Sequence, residues 1–398
     1  MLLLIAPLLA ALPPGDDDWT IQAATVHTVS GAPIENGFVR VQGGKIAAVG
    51  KGGGGATLEC AAVTPGLIDL ALGIDTGPLS VEQSSETAAR LSASDGLDLF
   101  SYRWERALRS GITTALAQPA DYDVIGGLGL VLKTGGAPTL AARLVKPEAC
   151  LRGAIGAQPS NGNAIPRFQE PQTFYFRRPT TRMGVEWVFR KAFHDTLQGQ
   201  GEDDPATAAD HAVLRRVLAG ELPLVVQAKA TQDVRTAIYL KEEFGIPRLV
   251  LDHAIEAWRE PELLKRSGVA VILPPFTADG RHADGFVNDS YFLPLDAARK
   301  LHEWGVPFAL SAHEGAGAGA RLADQAAAAQ RGGLPLAAAL EAVTLTPARL
   351  LGVEARVGSL EAGKDADLVL WNGPPLQPTS RIIGVLLQGR LVLDPRSK

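Results

Sequence analysis

The sequence predicts an α/β protein built on a parallel (β/α)8 barrel, with a small β domain formed by both ends of the chain. In the middle of the chain, eight short apolar runs are each followed by a polar turn or a helix-like stretch. Both ends are instead rich in β-branched residues and turn-forming glycines. A doubly wound sheet is the alternative architecture, but eight units, rather than five or six, favour the barrel.

The first twelve residues, MLLLIAPLLAAL, form an apolar run that ends at Pro13 and Pro14 and precedes three aspartates. The run is too short to span a bilayer, which needs about 20 apolar residues. It is typical of a secretory signal, although no Lys or Arg precedes it and no clear Ala-x-Ala site follows. We therefore expect residues 1–18 to be a leader and the protein to be periplasmic or extracellular. An apolar tail packed on a cytoplasmic protein is the alternative.

The segment from Trp19 to Gly50 and the segment from Val357 to Leu393 share a strand-like pattern. Short runs of alternating apolar residues are separated by Asn-Gly and Gly-Gly turns, which indicates antiparallel strands. We expect residues 19–61 and 352–398 to form one composite β domain. Two separate β modules are the alternative, which the short segments disfavour.

Residues 62–351 contain the eight apolar runs. Helices are predicted between several of them, at residues 231–244, 260–267 and 296–304. In a parallel barrel the strands end on the same side, so the last residues of each run line the pocket. The runs are VTPGLIDLAL, GITTALAQ, LGLVLKT, ACLRGAIG, LPLVVQAK, PRLVLDH, VAVILPP and PFALSAH.

Composition excludes several classes of function. The chain has 38 basic and 43 acidic residues and a net charge of −5, whereas binding to nucleic acid requires a basic surface. Its two cysteines cannot build a disulfide framework, and neither lies in a CxxC motif. After the leader, no stretch is long and apolar enough to span a membrane. Composition therefore indicates a soluble globular protein without a nucleic-acid partner.

The predicted strand ends carry few metal donors. Asp252 and His253 follow the sixth run, and His313 and Glu314 follow the eighth. A hydrolytic metal centre needs three or more converging ligands and an open position. The first and fifth runs supply no such ligand. We assign Lys133, Gln227, Asp252 and Glu314 to a ligand pocket.

Seven segments of the chain carry distinctive motifs: GKIAAVG (44–50), TPGLID (64–69), GITT (111–114), VIGGLGLVLK (124–133), TRMG (181–184), LTPARLLG (345–352) and VGSLEAGKDADLVLW (357–371). Through them the chain resembles, from about residue 20 to 393, the amidohydrolase superfamily in its imidazolonepropionase-like and dihydroorotase-like branch. The resemblance implies a metal-dependent TIM barrel that carries a β-sandwich made from both chain ends. It also implies an ancestral hydrolase of non-peptide C–N bonds.

The chain departs from this family at the metal-ligand positions. The histidine pair that follows TPGLID is replaced by Ala71 and Gly73, and the His-Ala-His of the fifth strand by Gln227-Ala228-Lys229. The aspartate of the eighth strand corresponds to His313, and only His253 occupies a position where the family keeps a histidine. Relatives bind Zn or another divalent metal; for this chain we expect no metal and no cofactor.

These replacements predict a pseudoenzyme, an inactive or altered amidohydrolase that binds a small ligand or acts as a partner subunit. The partner is a second copy of the chain or an active paralogue. The alternative is an active amidohydrolase with an atypical or single metal near His253 and His313. Together with Lys229, these two histidines are the candidate catalytic groups, although no nucleophile partner is evident. A hydrogen-bonded structural role is the other interpretation of both histidines.

Overall fold

The computed structural model describes residues 18–72, 82, 84–162, 179–283, 290–312 and 321–396. The predicted leader therefore lies outside the described residues, apart from Asp18. Among the described residues, no helix is long and apolar enough to cross a membrane.

The two ends of the chain meet in one seven-stranded sheet, which we call the terminal sheet. Its strand order is β17-β16-β15-β4-β1-β2-β3. β1 and β4 are parallel, and every other neighbouring pair is antiparallel. The prediction that both ends share one sheet is confirmed. The strands are β1 (Trp19–Val26), β2 (Ile34–Gln42), β3 (Lys45–Lys51), β4 (Leu58–Pro65), β15 (Leu368–Trp371), β16 (Ile382–Leu387) and β17 (Arg390–Leu393).

The hairpin between β2 and β3 shows why these residues form a sheet. Val39 and Val41 are fully buried and alternate with outward-facing residues, as the period of a strand requires. Gly43 and Gly44 form the two-residue turn with φ values of 57° and 78°. Such left-handed turns match the twist of the flanking strands and favour glycine.

The second sheet has eight strands and curves into a barrel; we call it the barrel sheet. Its order is β14-β11-β10-β9-β8-β7-β6-β5. All eight apolar runs of the sequence form its strands. Its members are β5 (Leu67–Asp69), β6 (Ile112–Ala117), β7 (Ile125–Lys133), β8 (Leu144–Ala154), β9 (Leu224–Gln227), β10 (Leu249–Asp252), β11 (Ala270–Leu273) and β14 (Phe308–Leu310).

One strand of the barrel sheet corrects the prediction of a wholly parallel barrel. β7 runs antiparallel to both β6 and β8. A parallel pair needs a crossover of about a dozen or more residues. Residues 118–124, between β6 and β7, are too few for such a crossover. The same holds for the link from β7 to β8, where residues 134–143 contain only a short helix.

Helices follow the chain between the strands. The predicted helix 231–244 is observed with those bounds, and those at 260–267 and 296–304 are each shorter by one or two residues. A further hairpin consists of β12 (Arg281–Ala283) and β13 (Ser290–Phe292). The helices are α1 (Tyr102–Arg109), α2 (Leu140–Arg143), α3 (Ala157–Gly162), α4 (Arg182–Gln198), α5 (Pro205–Leu218), α6 (Thr231–Phe244), α7 (Pro261–Ser267), α8 (Ala297–Glu303), α9 (Leu322–Arg331), α10 (Leu336–Glu341) and α11 (Leu345–Leu351).

The edges of the barrel sheet, β5 and β14, are joined by side-chain hydrogen bonds in place of a strand ladder. Asp69 Oδ1 accepts from the hydroxyl of Ser311 at 3.1 Å, and Oδ2 accepts from the Ala312 amide at 3.0 Å. Asp69 is completely buried. A buried carboxylate is stable only where donors satisfy it, so these contacts hold the nearly closed barrel together at this seam.

Candidate functional site

The mouth is the end of the barrel sheet at which seven of its eight strands finish. Five of the ladders join neighbouring strands in parallel. β6 and β8 share one direction because each is antiparallel to β7. Residues that follow these seven strands therefore meet at the mouth, where barrels of this kind place their sites.

Lys133 lies at the opposite end of the barrel sheet, so the structure does not place it in the predicted pocket. It ends the antiparallel strand β7 and pairs with Thr114, near the start of β6. Its ammonium group lies 3.0 Å from Asp365 Oδ2 and also forms an ion pair with Asp367. The Lys133 side chain is 1% exposed. Lys133 thus connects the barrel sheet to the segment that enters the terminal sheet.

At the end of β5, Ala71 is buried and its backbone amide donates to Asp69 Oδ1 at 2.9 Å. Burial raises the pKa of Asp69 to about 6, although hydrogen bonds from Ala71, Ala312 and Ser311 oppose the rise. The nearby charge of Asp252 adds to it. The aspartate of the TPGLID motif therefore fastens the strands of the barrel seam. Gly73, the second predicted position, lies outside the described residues.

The two candidate residues at the end of β9 form hydrogen bonds to side chains of a loop and of α3. The Gln227 amide donates to Asp121 Oδ2 at 2.5 Å, and its side chain is buried. The Lys229 ammonium donates to Gln158 Oε1 at 3.2 Å. The structure thus brings both predicted residues to the mouth.

Asp252 and His253 at the end of β10 are both buried. The His253 amide donates to Asp252 Oδ1 at 2.8 Å, and the imidazole Nδ1 lies 3.2 Å from Asp252 Oδ2. His253 has a φ of 48°, a left-handed backbone conformation that costs energy for a residue with a Cβ. Such strain is frequent at functional sites.

Arg152 is the residue of the site that sequence reasoning missed. It lies within β8, and its side chain is 3% exposed. Its Nη1 is 2.7 Å from Asp252 Oδ2, and its Nε donates to Asp121 Oδ1 at 2.7 Å. The signal was a charged residue inside the apolar run ACLRGAIG, because charged side chains are rarely buried unless paired. The predicted site residues all lie at strand ends, whereas Arg152 precedes the end of its strand.

His282 is a second missed residue, on β12 in the segment that follows β11. Burial lowers the pKa of its imidazole, and the nearby charges of His253 and Lys229 lower it further. These three groups therefore face one another closely enough to interact electrostatically. No motif in the sequence distinguished His282, because the strand that carries it is only three residues long and has no apolar pattern.

His313 and Glu314, which the sequence assigns to the eighth strand end, lie outside the described residues. Every other predicted site residue except Gly73 is described. The described members that reach the mouth are Ala71, Gln227, Lys229, Asp252 and His253.

The metal that the family resemblance implies does not fit the described side chains of the mouth. Across the described ranges, no group of three or more His, Cys, Asp or Glu residues is arranged to hold a metal ion. Ala71 offers no lone pair, and Lys229 is a poor ligand while it is protonated. Asp121 and Asp252 face a guanidinium group.

Comparison with known proteins gives a consistent result. A family model described as the amidohydrolase family matches residues 295–392. The curated protein amidohydrolase tasK of Hapsidospora irregularis is 26% identical over an alignment of 365 positions that covers 83% of this chain. The chain spans only 36% of the length of that relative.

Solved structures extend the similarity over nearly the whole chain. An amidohydrolase from Thermotoga maritima MSB8 superimposes with a TM-score of 0.80 and 27% identity, covering 94% of this chain and 99% of that one. An adenosine deaminase from Xanthomonas campestris with bound zinc has a TM-score of 0.53 and 18% identity, covering 96% and 94% of the two chains, and shows the fold alone. The family model, the curated relative and the structure from Thermotoga maritima thus agree in their similarity to the amidohydrolase superfamily.

Proposed function

We propose that this chain is a metal-independent member of the amidohydrolase superfamily. It binds a small organic molecule at the mouth and does not hydrolyse it. In this proposal residues 62–351 form a TIM-like barrel in which β7 runs opposite to the other strands, and residues 19–61 and 352–398 form a β-sandwich. The positions of the lost metal ligands are Ala71, Gly73, Gln227, Lys229 and His313.

The observation that carries the proposal is the hydrogen bonding at the end of β9. There the family pattern places two histidines, whereas Gln227 donates to Asp121 and Lys229 donates to Gln158. The Lys229 ammonium has no lone pair and the Gln227 amide nitrogen is a donor, so only the carbonyl oxygen of Gln227 is able to coordinate an ion where the family pattern has two imidazoles. A hydrolysis without metal would need another way to activate water, and we assign no general base.

The same groups suit a ligand. Lys229, His253 and His282 lie near one another, and His253 is held in a strained backbone conformation. Small-molecule sites combine a few such polar groups with apolar walls. Because Lys229 and Gln158 are half-buried, a ligand that reached them would be partly removed from water.

Metal analysis tests the metal-independent part of the proposal. The full chain is expressed in medium supplemented with zinc and manganese, and its metal content is measured by mass spectrometry after gel filtration. We expect far less than one ion per chain. One zinc, manganese or nickel per chain would overturn the proposal and favour an active enzyme with an atypical single metal near His253 and His313.

A ligand search tests the binding part. Native mass spectrometry of the purified chain and thermal shift assays with small carboxylic acids and cyclic amides are the two measurements. A compound that binds to the wild-type chain is expected to bind more weakly to the Lys229→Gln variant. The Lys265→Gln variant, altered on α7, is the matched control and should behave as the wild type. Equal binding to all three proteins would place the ligand elsewhere and contradict the proposal.

We also propose that residues 1–18 direct export. The support is the apolar run followed by Pro13, Pro14 and Gly15. Expression of the full chain in a bacterial host, followed by amino-terminal sequencing of the periplasmic fraction, tests it. Retention of the intact leader in the cytoplasm would contradict the proposal.

A further inference from the structure

Arg152 is a buried cation at the centre of the mouth. Its guanidinium joins Asp252, at the end of β10, to Asp121, in the connection between β6 and β7. It reaches Asp252 Oδ2 at 2.7 Å through Nη1 and Asp121 Oδ1 at 2.7 Å through Nε. The two acids come from different parts of the barrel sheet, and the contacts through one planar group hold them in place.

The guanidinium of Arg152 offsets the negative charge of Asp121 and Asp252 where all three side chains are largely buried. The side chains of Arg152 and Asp252 are 3% and 1% exposed, and that of Asp121 is 13% exposed. Two carboxylates this close to one another repel unless a positive charge lies between them. Burial by itself lowers the pKa of Arg152, but Asp121 and Asp252 outweigh it and raise the pKa. The guanidinium therefore stays protonated.

We infer that Arg152 is the resident cation of this barrel and that it excludes a divalent ion from Asp121 and Asp252. A guanidinium that contacts both carboxylates occupies the space between them, and a second cation there would meet like charge. This inference rests on the proposed metal-independent function and names the residue that maintains it.

The described donors around Arg152 are not arranged to hold an ion in the wild type, but without the guanidinium between them they are able to converge on one. Asp121 and Asp252 supply carboxylate oxygens, and His253 Nδ1 already lies 3.2 Å from Asp252 Oδ2. Zinc binds carboxylate oxygens and imidazole nitrogens, so a variant without the positive charge carries a latent zinc site. The inference thus predicts that loss of one side chain creates affinity for a metal.

The test compares the wild type with Arg152→Met, which is similar in length but uncharged. Titration calorimetry with zinc chloride is expected to show a Kd at least about tenfold lower for Arg152→Met than for the wild type. In the presence of a chelator, the Tm of the variant should fall by roughly 5 °C or more, and zinc should restore part of the loss. Arg152→Lys, which retains a charge, is the matched control and should bind zinc no better than the wild type.

A second variant keeps the test decisive if Arg152→Met folds poorly. Arg152→Met/Asp252→Asn removes, together with the cation, one of the two carboxylates that it had contacted, so it should recover stability without metal and should lose the zinc affinity. A folded Arg152→Met that binds zinc no tighter than the wild type overturns the inference and leaves the proposed function intact. Failure of the double variant to recover stability also overturns it. A wild-type chain that holds one ion overturns the proposed function itself.

Discussion

The ammonium group of Lys133 lies 3.0 Å from Oδ2 of Asp365, and neither side chain is more than 2% exposed. This ion pair joins the last residue of β7 to the segment just before β15. Asp367 pairs with the same ammonium group, and Arg356 and Lys45 contact Asp365. The GKDADLVLW motif therefore supplies the two aspartates, Asp365 and Asp367, that form ion pairs with Lys133 of the barrel sheet.

Replacement of Lys133 by Met should destabilise the fold strongly. The change leaves Asp365 and Asp367 buried near one another without their common partner, and breaking a buried pair in this way costs about 3–5 kcal/mol. Urea denaturation followed by circular dichroism measures the loss. Lys45→Met is the matched control, because Lys45 pairs with the same Asp365 but is 51% exposed. A loss from Lys133→Met no larger than that from Lys45→Met would refute the explanation.

The same ion pairs predict how stability depends on acid. Burial by itself would raise the pKa of Asp365, but Lys133, Lys45 and Arg356 outweigh it and lower the pKa to about 2. The stabilisation is complete above the ordinary pKa of 3.8 and should be lost as the pH falls from there towards 2. Unfolding free energies measured across this range check the prediction. In Lys133→Met the folded-state pKa of Asp365 should rise towards 3.8, so the loss should be smaller and should be complete at a higher pH.

Asp69 should have the opposite dependence on pH. Burial raises its pKa to about 6 from an ordinary value of 3.8. The folded protein therefore holds this proton more tightly than the unfolded chain, and the free energy of unfolding should decrease as the pH rises from about 4 to about 6. The unfolding free energy of the Asp69→Asn variant, measured by denaturation, should not decrease over this pH range. The variant should also be less stable than the wild type at every pH, because an amide has one oxygen and cannot accept from both Ser311 and Ala312 through two.

The electrostatic contact among Lys229, His253 and His282 can be measured directly. Burial, His253 and Lys229 all lower the pKa of His282. Lys229→Gln removes one positive charge, so the pKa of His282 should rise. Titration of the imidazole carbon-bound protons by NMR measures it, with Lys265→Gln as the control for a distant charge. An unchanged pKa would show that Lys229 and His282 are not neighbours in solution.

Neither cysteine should react with thiol reagents in the folded protein. Burial raises the pKa of the Cys60 thiol to about 12 and that of the Cys150 thiol to about 12. Only the thiolate is nucleophilic, so both groups are inert near pH 8. Colorimetric titration should find no reactive thiol until denaturant is added, and two afterwards. Rapid reaction in the native state would contradict the burial described here.

Much of the fold could be read from the sequence because apolar runs of four to eight residues mark buried strands reliably. All eight runs became strands of the barrel sheet. The direction of β7 could not be read from its residues, since a hydrophobic run has the same pattern in either direction. The direction of β7 follows instead from its short connections, residues 118–124 and 134–143, which are too short for parallel crossovers. Lys133 was assigned to the wrong end of the barrel for this reason.

The site was only partly predictable. Gln227, Lys229, Asp252 and His253 could be located because they end strands. Arg152 and Asp121 could not be paired from sequence, since one lies within a strand and the other in a loop, and their contact depends on how the barrel sheet curves. His282 lies on β12, a strand of three residues that is too short for any periodicity to distinguish one side chain from another.

The order of strands in the terminal sheet has a consequence for synthesis. β4 lies between β1 and β15, with Val63 opposite Leu370. The edge of β4 that pairs with β15 therefore stays without its partner strand until β15 has left the ribosome. Contacts between residues so distant in sequence form slowly, and exposed edges pair readily with other chains. Newly made copies should therefore be most prone to aggregate before β15 has been synthesised. A chaperone that covers strand edges should raise their yield.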